Sequence, residues 1–169
     1  MFCNNPEKRK KLNMWSLYAV LLFGVLLVQT VLLSKIDVAG VHFDLLPMLV
    51  SAVAVVCGAE KGGIFAIGAG LLWALSGGSD GGMTLACLTV SAVTAGYLCE
   101  AVFNRSYFTA VVMALLCHAI TAGGVLLLRV YMDGIGIWGL WKVLLQLALS
   151  LPLSPVLYWL AAAIRKAGP

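Results

Sequence analysis

The sequence predicts an all-α membrane protein of six transmembrane helices, and three observations carry that prediction. Of its 169 residues, 62% are hydrophobic and 11% charged, with a mean hydropathy of +1.02; a soluble domain is about 45–50% apolar and about 25% charged. So few charged groups cannot cover a water-facing surface, and lipid has to act as the solvent. The apolar residues fall into six runs, and the links between them are too short to fold into a second unit. The division expected is a basic N-terminus over residues 1–13, a membrane domain over 14–164 and a tail over 165–169.

The first run, Met14 to Leu33, follows Lys8, Arg9, Lys10 and Lys11. It is longer than a secretory h-region and no small-x-small cleavage site follows, so it reads as an uncleaved anchor. The second and third runs, Leu45 to Cys57 and Gly62 to Ser76, are short and separated only by Gly58, Ala59, Glu60 and Lys61. They form a tight antiparallel hairpin, read as two true spans rather than a re-entrant pair. Met83 to Val102, Tyr107 to Val130 and Trp138 to Ile164 complete the set.

Charge sets the orientation. With the N-terminus inside, Lys8, Arg9, Lys10, Lys11, Lys61, Arg105, Arg165 and Lys166 all fall on the cytoplasmic side, leaving Lys35, Arg129 and Lys142 for the other. Six spans put both basic termini in the cytoplasm, as the positive-inside rule requires. That rule also explains the net charge of +4 without invoking nucleic acid. The run Ser76 to Gly82 becomes an external turn.

Helices in lipid associate through small residues and interhelical hydrogen bonds. Gly62, Ala66, Gly70, Ala74 and Gly78 recur every four residues along the third segment and form a smooth stripe, either an internal packing seam or a seam for a partner. Ser91, Ala95 and Cys99 make a shorter version on the fourth segment. On the fifth, Ala110, Ala114, His118 and Ala122 share a face, which turns His118 toward protein, either as a hydrogen-bonded structural imidazole or as an intramembrane functional group.

The sixth segment carries a polar ridge of Lys142, Gln146, Ser150 and Ser154. It reads as a hydrogen-bonded strip or as the wall of a polar cavity, with Lys142 snorkelling to water and Gln146 deep enough to require an interhelical bond. Pro152 and Pro155 are expected to kink this helix.

Chemistry is sparse. No H-E-x-x-H or Walker motif occurs, and the acids Glu7, Asp37, Asp44, Glu60, Asp80, Glu100 and Asp133 lie at segment ends or in loops, where carboxylates are ordinarily solvated or capping. The five cysteines stand singly, without metal or disulfide spacing. The expectation is a protein without enzymatic activity, cofactor or metal.

Several stretches resemble the MreD family of bacterial rod shape-determining membrane proteins. They are Asp44-Leu45-Leu46-Pro47, Glu60 with Gly63, Gly70-Leu71-Leu72-Trp73 followed by Ser76-Gly77-Gly78, Gly82, Gly96-Tyr97-Leu98, Arg105 ahead of Thr109-Ala110, and the close Leu157-Tyr158-Trp159-Leu160 before Arg165. The likeness covers roughly residues 44–118 in detail and the remainder by layout. Members often carry an aspartate just after the G-L-L-x stretch, where this chain has Ala74. The resemblance implies a scaffold of the cell-elongation complex in the cytoplasmic membrane, associating with an MreC-like bitopic protein and through it with MreB and with RodA and its transpeptidase. It also implies a fold similar to the substrate-binding subunits of energy-coupling-factor transporters. That fold supplies the alternative function, capture of a vitamin in an external pocket lined by the Lys142 ridge and by Trp138 and Trp141. Such subunits commonly carry an A-x-x-x-A seam on the first helix; this chain has Ala19, Phe23 and Gly24 there. A dry core is expected of the scaffold, and an externally open polar cavity of about 300 Å³ or more of the binding subunit.

Overall fold

Apolar runs bounded by glycine and proline fold here into six helices that run end to end through one bundle. The computed structural model describes residues 6–35, 40–76, 80–101, 106–134 and 138–167. Helix α1 spans Pro6–Leu27 and continues as a π turn, Val28–Leu32, and a 3-10 turn, Leu33–Lys35. Its start differs from the expected Met14: the basic stretch is itself helical, because proline in the first turn needs no N–H partner and Glu, Lys and Arg are strong helix formers. At the other end of the chain the helix likewise extends beyond Ile164, to Ala167.

Helix α2, Leu46–Cys57, and helix α3, Ala59–Leu75, are joined by Gly58 alone, a tighter connection than the four residues expected. Gly58 turns the chain at φ +95°, in the half of φ space that favours glycine. Helix α4 covers Gly81–Ala101 and α5 covers Tyr107–Asp133. The Ser106 hydroxyl caps α5 by accepting from the Thr109 amide at 3.2 Å, and Gly134 closes it at φ +65°. The sixth helix is broken into α6, Trp138–Ser150, a 3-10 turn, Leu151–Leu153, and α7, Ser154–Ala167. Pro152 lies in that turn and Pro155 in the first turn of α7, where neither can donate to the preceding carbonyls.

Four segments, Leu12–Val31, Gly81–Ala101, Tyr107–Met132 and Gly139–Lys166, are long and apolar enough to cross a membrane, and the chain is a multi-pass membrane protein. Its surface agrees. Val20, Phe23, Ile64, Leu71, Leu127 and Leu144 face outward, a distribution that suits hydrocarbon rather than water. Aromatic side chains gather at both ends: Tyr97, Tyr107, Phe108 and Trp159 at one, Tyr131 and Trp141 at the other. The 24-residue step from Tyr107 to Tyr131 corresponds to about 36 Å of helix, the separation of two interfacial belts.

The core is built around α2. Every residue from Leu46 to Val56 is buried, so this helix of 12 residues, about 18 Å long, is sheathed by its neighbours. The small-residue stripe of α3 completes the sheath. A Cβ placed on Gly62 would lie 2.6 Å from the Ala54 Cα of α2, and one on Gly70 would lie 2.8 Å from the Leu85 Cα of α4. Ala66 is fully buried. Ala74 meets Gly81, whose added Cβ would come within 2.8 Å of the Ala74 Cα. Ala74 is thus one half of a close alanine–glycine contact. Gly96 of α4 rests on Ala59, at 2.5 Å from that residue's Cα by the same construction. The stripe is consumed by the chain's own packing over Gly62, Ala66, Gly70 and Ala74, and Gly78 lies outside the described residues.

Polar contacts pin the two ends of the bundle. At the end holding both termini, the Tyr18 hydroxyl donates to the Ala161 carbonyl at 3.1 Å, and Arg165 Nη1 donates to the Val56 carbonyl at 2.7 Å. This second bond satisfies one of the carbonyls that the end of α2 leaves free. At the opposite end lie Gln29, Asp44, Asp80, Arg129 and Lys142.

Candidate functional site

The opposite end opens into a cavity of about 500 Å³. Helical spacing places one wall: Lys142 and Gln146, four residues apart on α6, face the same way, and both line it. Lys142 reaches across to the Gly40–Asp44 connection, its Nζ 4.0 Å from where a Gly40 Cβ would sit. Gln146 makes no side-chain hydrogen bond to any described residue. Its side chain lines the cavity, and the interhelical bond expected for it has no counterpart among the described residues. One and two turns deeper, Ser150 and Ser154 are fully buried, so the ridge runs from the mouth into the core.

The floor is a joint among three helices. The π turn adds a residue to one helical turn and so changes the direction of the side chains around it, and the Gln29 amide sits in that turn. Its Nε2 donates to Asp44 Oδ1 at 3.2 Å and its Oε1 accepts from the Leu45 amide at 3.2 Å. Asp44 Oδ1 also accepts from the Leu46 amide at 3.3 Å, while the Asp44 amide donates to Ser150 Oγ at 3.0 Å. Helix α1, the start of α2 and α6 are thereby tied at one residue, the first two through the Asp44 carboxylate and α6 through the Asp44 amide. Burial pushes the Asp44 carboxyl above its ordinary range, against the opposing pull of the His118 imidazole and of the Leu46 and Gln29 amides.

At the rim, Arg129 of α5 pairs with Asp80 ahead of α4, Nε to Oδ2 at 2.9 Å. Trp73, Leu46, Val125 and Leu126 supply apolar wall. Trp141 is exposed and turned away from the cavity, and the side chain of Trp138 lies outside the described residues. Among the described residues the aromatic rings lining the cavity are those of Trp73, from the third segment, and Phe43.

His118 lies beneath this floor, fully buried, and neither ring nitrogen has a hydrogen-bond partner among the described residues; Ser154 Oγ is likewise unpartnered. The structure brings Asp44, His118 and Ser150 into one region, a grouping the sequence did not suggest. It lacks the contacts of a catalytic triad, since Ser150 Oγ is held by the Asp44 amide and His118 bonds to neither neighbour. The run Gly77 to Gly81 spells G-x-S-x-G and stands between α3 and α4, whereas a nucleophile elbow joins a strand to a helix; Gly77, Gly78 and Ser79 lie outside the described residues. Replacing His118 by methionine is expected to leave stability unchanged or raise it by about 1 kcal/mol, because it removes a buried group whose hydrogen-bonding capacity is unmet. Thermal unfolding of the purified protein in detergent checks this, and a loss of 2 kcal/mol or more would show that the imidazole is bonded.

Four residues at this site escape the sequence reading. Gln29 is a single polar side chain in an apolar run, Asp44 was read as an ordinary terminal carboxylate, and the Asp80–Arg129 pair joins residues 49 apart. The one available signal was Gln29 itself, since an amide within a span needs a partner. No protein-family model, curated protein or solved structure matches the chain.

Proposed function

We propose that the chain is a non-enzymatic scaffold of the MreD type, built of six membrane-spanning helices with both termini in the cytoplasm, binding an MreC-like bitopic protein and, through it, MreB and the peptidoglycan-synthesising RodA with its transpeptidase. The observation that carries this reading is where the resembling residues lie. Asp44 joins three helices, Gly70 and Ala74 close the α3–α4 contact, Gly96 rests on Ala59, and Arg165 caps α2. Residues shared with a scaffold family are expected to hold the bundle together in this way rather than to gather around a reacting group. In this reading α2 and α3 complete the six crossings, α2 without meeting lipid.

Because the α3 stripe is filled from within, the partner surface has to lie elsewhere, on the outward faces. The outward face of the first helix carries Leu17, Val20, Phe23 and Leu27, bulky side chains in place of the alanine seam expected on a transport subunit. Co-expression with an MreC-like bitopic protein from the same genome, followed by affinity purification from detergent, is expected to recover the pair; repeated failure to recover it would overturn the scaffold.

One observation favours the alternative, a vitamin-capturing subunit of an energy-coupling-factor transporter: the cavity of about 500 Å³ is above the lower bound of about 300 Å³ expected of a capture site. Titration of the purified protein with riboflavin and thiamine, neither of them an anion, separates the readings, with saturable binding expected only for the subunit. The orientation is testable independently. A single cysteine placed at Asp80 in a cysteine-free background is expected to react with an impermeant maleimide from outside intact cells, and one at Arg105 only after permeabilisation; the reverse pattern would invert the topology.

A further inference from the structure

The cavity has a definite chemistry. Its two carboxylates are engaged: Asp80 by Arg129, and Asp44 by Gln29 and the Leu46 amide, with burial opposing the charge on Asp44. Its guanidinium is taken by Asp80. That leaves, beside the His42 imidazole and the Thr84 hydroxyl, the Lys142 ammonium, which has no partner among the described residues, and the Gln146 amide one turn below it, which has none among them either. Both can donate a hydrogen bond. Opposite them stand Leu46, Val125, Leu126 and Trp73, an apolar surface. The volume lies within the range of small-molecule sites, about 300–1,000 Å³.

We propose that this cavity binds an amphipathic anion, its carboxylate or phosphate held by Lys142 and Gln146 and its apolar body lying against Leu46, Val125, Leu126 and Trp73. A cation at the mouth with no partner among the described residues favours a negative group there, the second donor fixes its position, and the apolar wall excludes fully hydrated ions such as free phosphate. Two sources offer this chemistry: an anionic phospholipid entering from the bilayer, and a soluble amphipathic acid entering from water. The inference rests on the cavity and not on the scaffold reading, so failure to recover an MreC-like partner leaves it standing.

The test uses the full chain in a neutral maltoside detergent with two probes. Phosphatidylglycerol binding is read by native mass spectrometry against phosphatidylcholine. Dansyl-undecanoate binding is read by fluorescence against its methyl ester. At least one anionic probe is expected to bind saturably and more tightly than its uncharged or zwitterionic control. Lys142→Gln is expected to weaken that binding by about tenfold or more, Gln146→Ala to weaken it less, and Lys142→Arg to retain it. Lys61→Gln, at the far end of the bundle, serves as the control and should change nothing. Because Lys142 is exposed, an unchanged melting temperature in Lys142→Gln separates lost binding from lost fold. Preference for phosphatidylglycerol assigns the membrane as the source, and preference for dansyl-undecanoate assigns water. Binding of neither probe above its control, or anion binding indifferent to Lys142→Gln, overturns the proposal.

Discussion

Gly70→Leu is expected to be among the most damaging single substitutions in the chain. The first atom of the new side chain would meet the Leu85 Cα at 2.8 Å, its Cβ at 2.9 Å and its Cγ at 3.0 Å, and two of those atoms are fixed to the α4 backbone. Relief therefore requires α3 and α4 to separate along their whole contact, from Ala74 and Gly81 to Ala59 and Gly96. Overpacking of this kind costs about 1–3 kcal/mol, occasionally more, and in lipid no hydrophobic effect draws the separated helices back together. Lower yield of folded protein and a lower thermal midpoint in detergent are the expected readouts. Gly68→Leu provides the control on the same helix, since nothing lies within 4 Å of its added Cβ, and it should shift stability by less than about 1 kcal/mol. If the two variants behave alike, the contact seen at Gly70 is not what holds α3 to α4.

The second large effect is expected at Asp44→Ala. The substitution removes the acceptor for both Gln29 Nε2 and the Leu46 amide, and leaves the Gln29 amide, only 7% exposed, without its donor's partner. Hydrogen bonds to charged groups contribute about 1.5–3 kcal/mol, so a loss of about 2–3 kcal/mol is expected. Asp44→Asn keeps an oxygen in place and should lose less. In a double-mutant cycle, Gln29→Leu combined with Asp44→Ala should cost clearly less than the sum of the single changes, because each removes what the other leaves stranded. Strict additivity would show that the two side chains are not coupled.

Much of the bundle was legible in the sequence because its signals are local. The paired glycines and prolines that break the apolar runs also bound the helices, and a four-residue period on α3 and α6 identified the faces that turn inward. Lys142 and Gln146 were legible for the same reason. That ridge also allows a cavity wall; what the sequence does not show is the floor and the wall that face it. Gln29 reaches Asp44 from a π turn, and a pattern search built on 3.6 residues per turn cannot anticipate where a wider turn points its side chains. Asp44 resembles any carboxylate at a helix start until its three partners, on separate stretches of chain, are seen together. The same holds for Trp73: its neighbours in sequence mark a helix, but only the packing of α3 against α4 turns its ring toward the mouth, while Trp141, the more obvious candidate, faces outward.

The enclosure of α2 bears on how the protein is made. Its 12 residues are fewer than the roughly 17–25 that a solitary segment needs to lodge in a bilayer, and one glycine tethers it to α3. A translocon is therefore expected to release α2 and α3 as a single hairpin, with the later helices closing around it. A nascent chain truncated after Cys57 should fail to lodge α2 in the bilayer, whereas one extended through Leu75 should hold both helices in it.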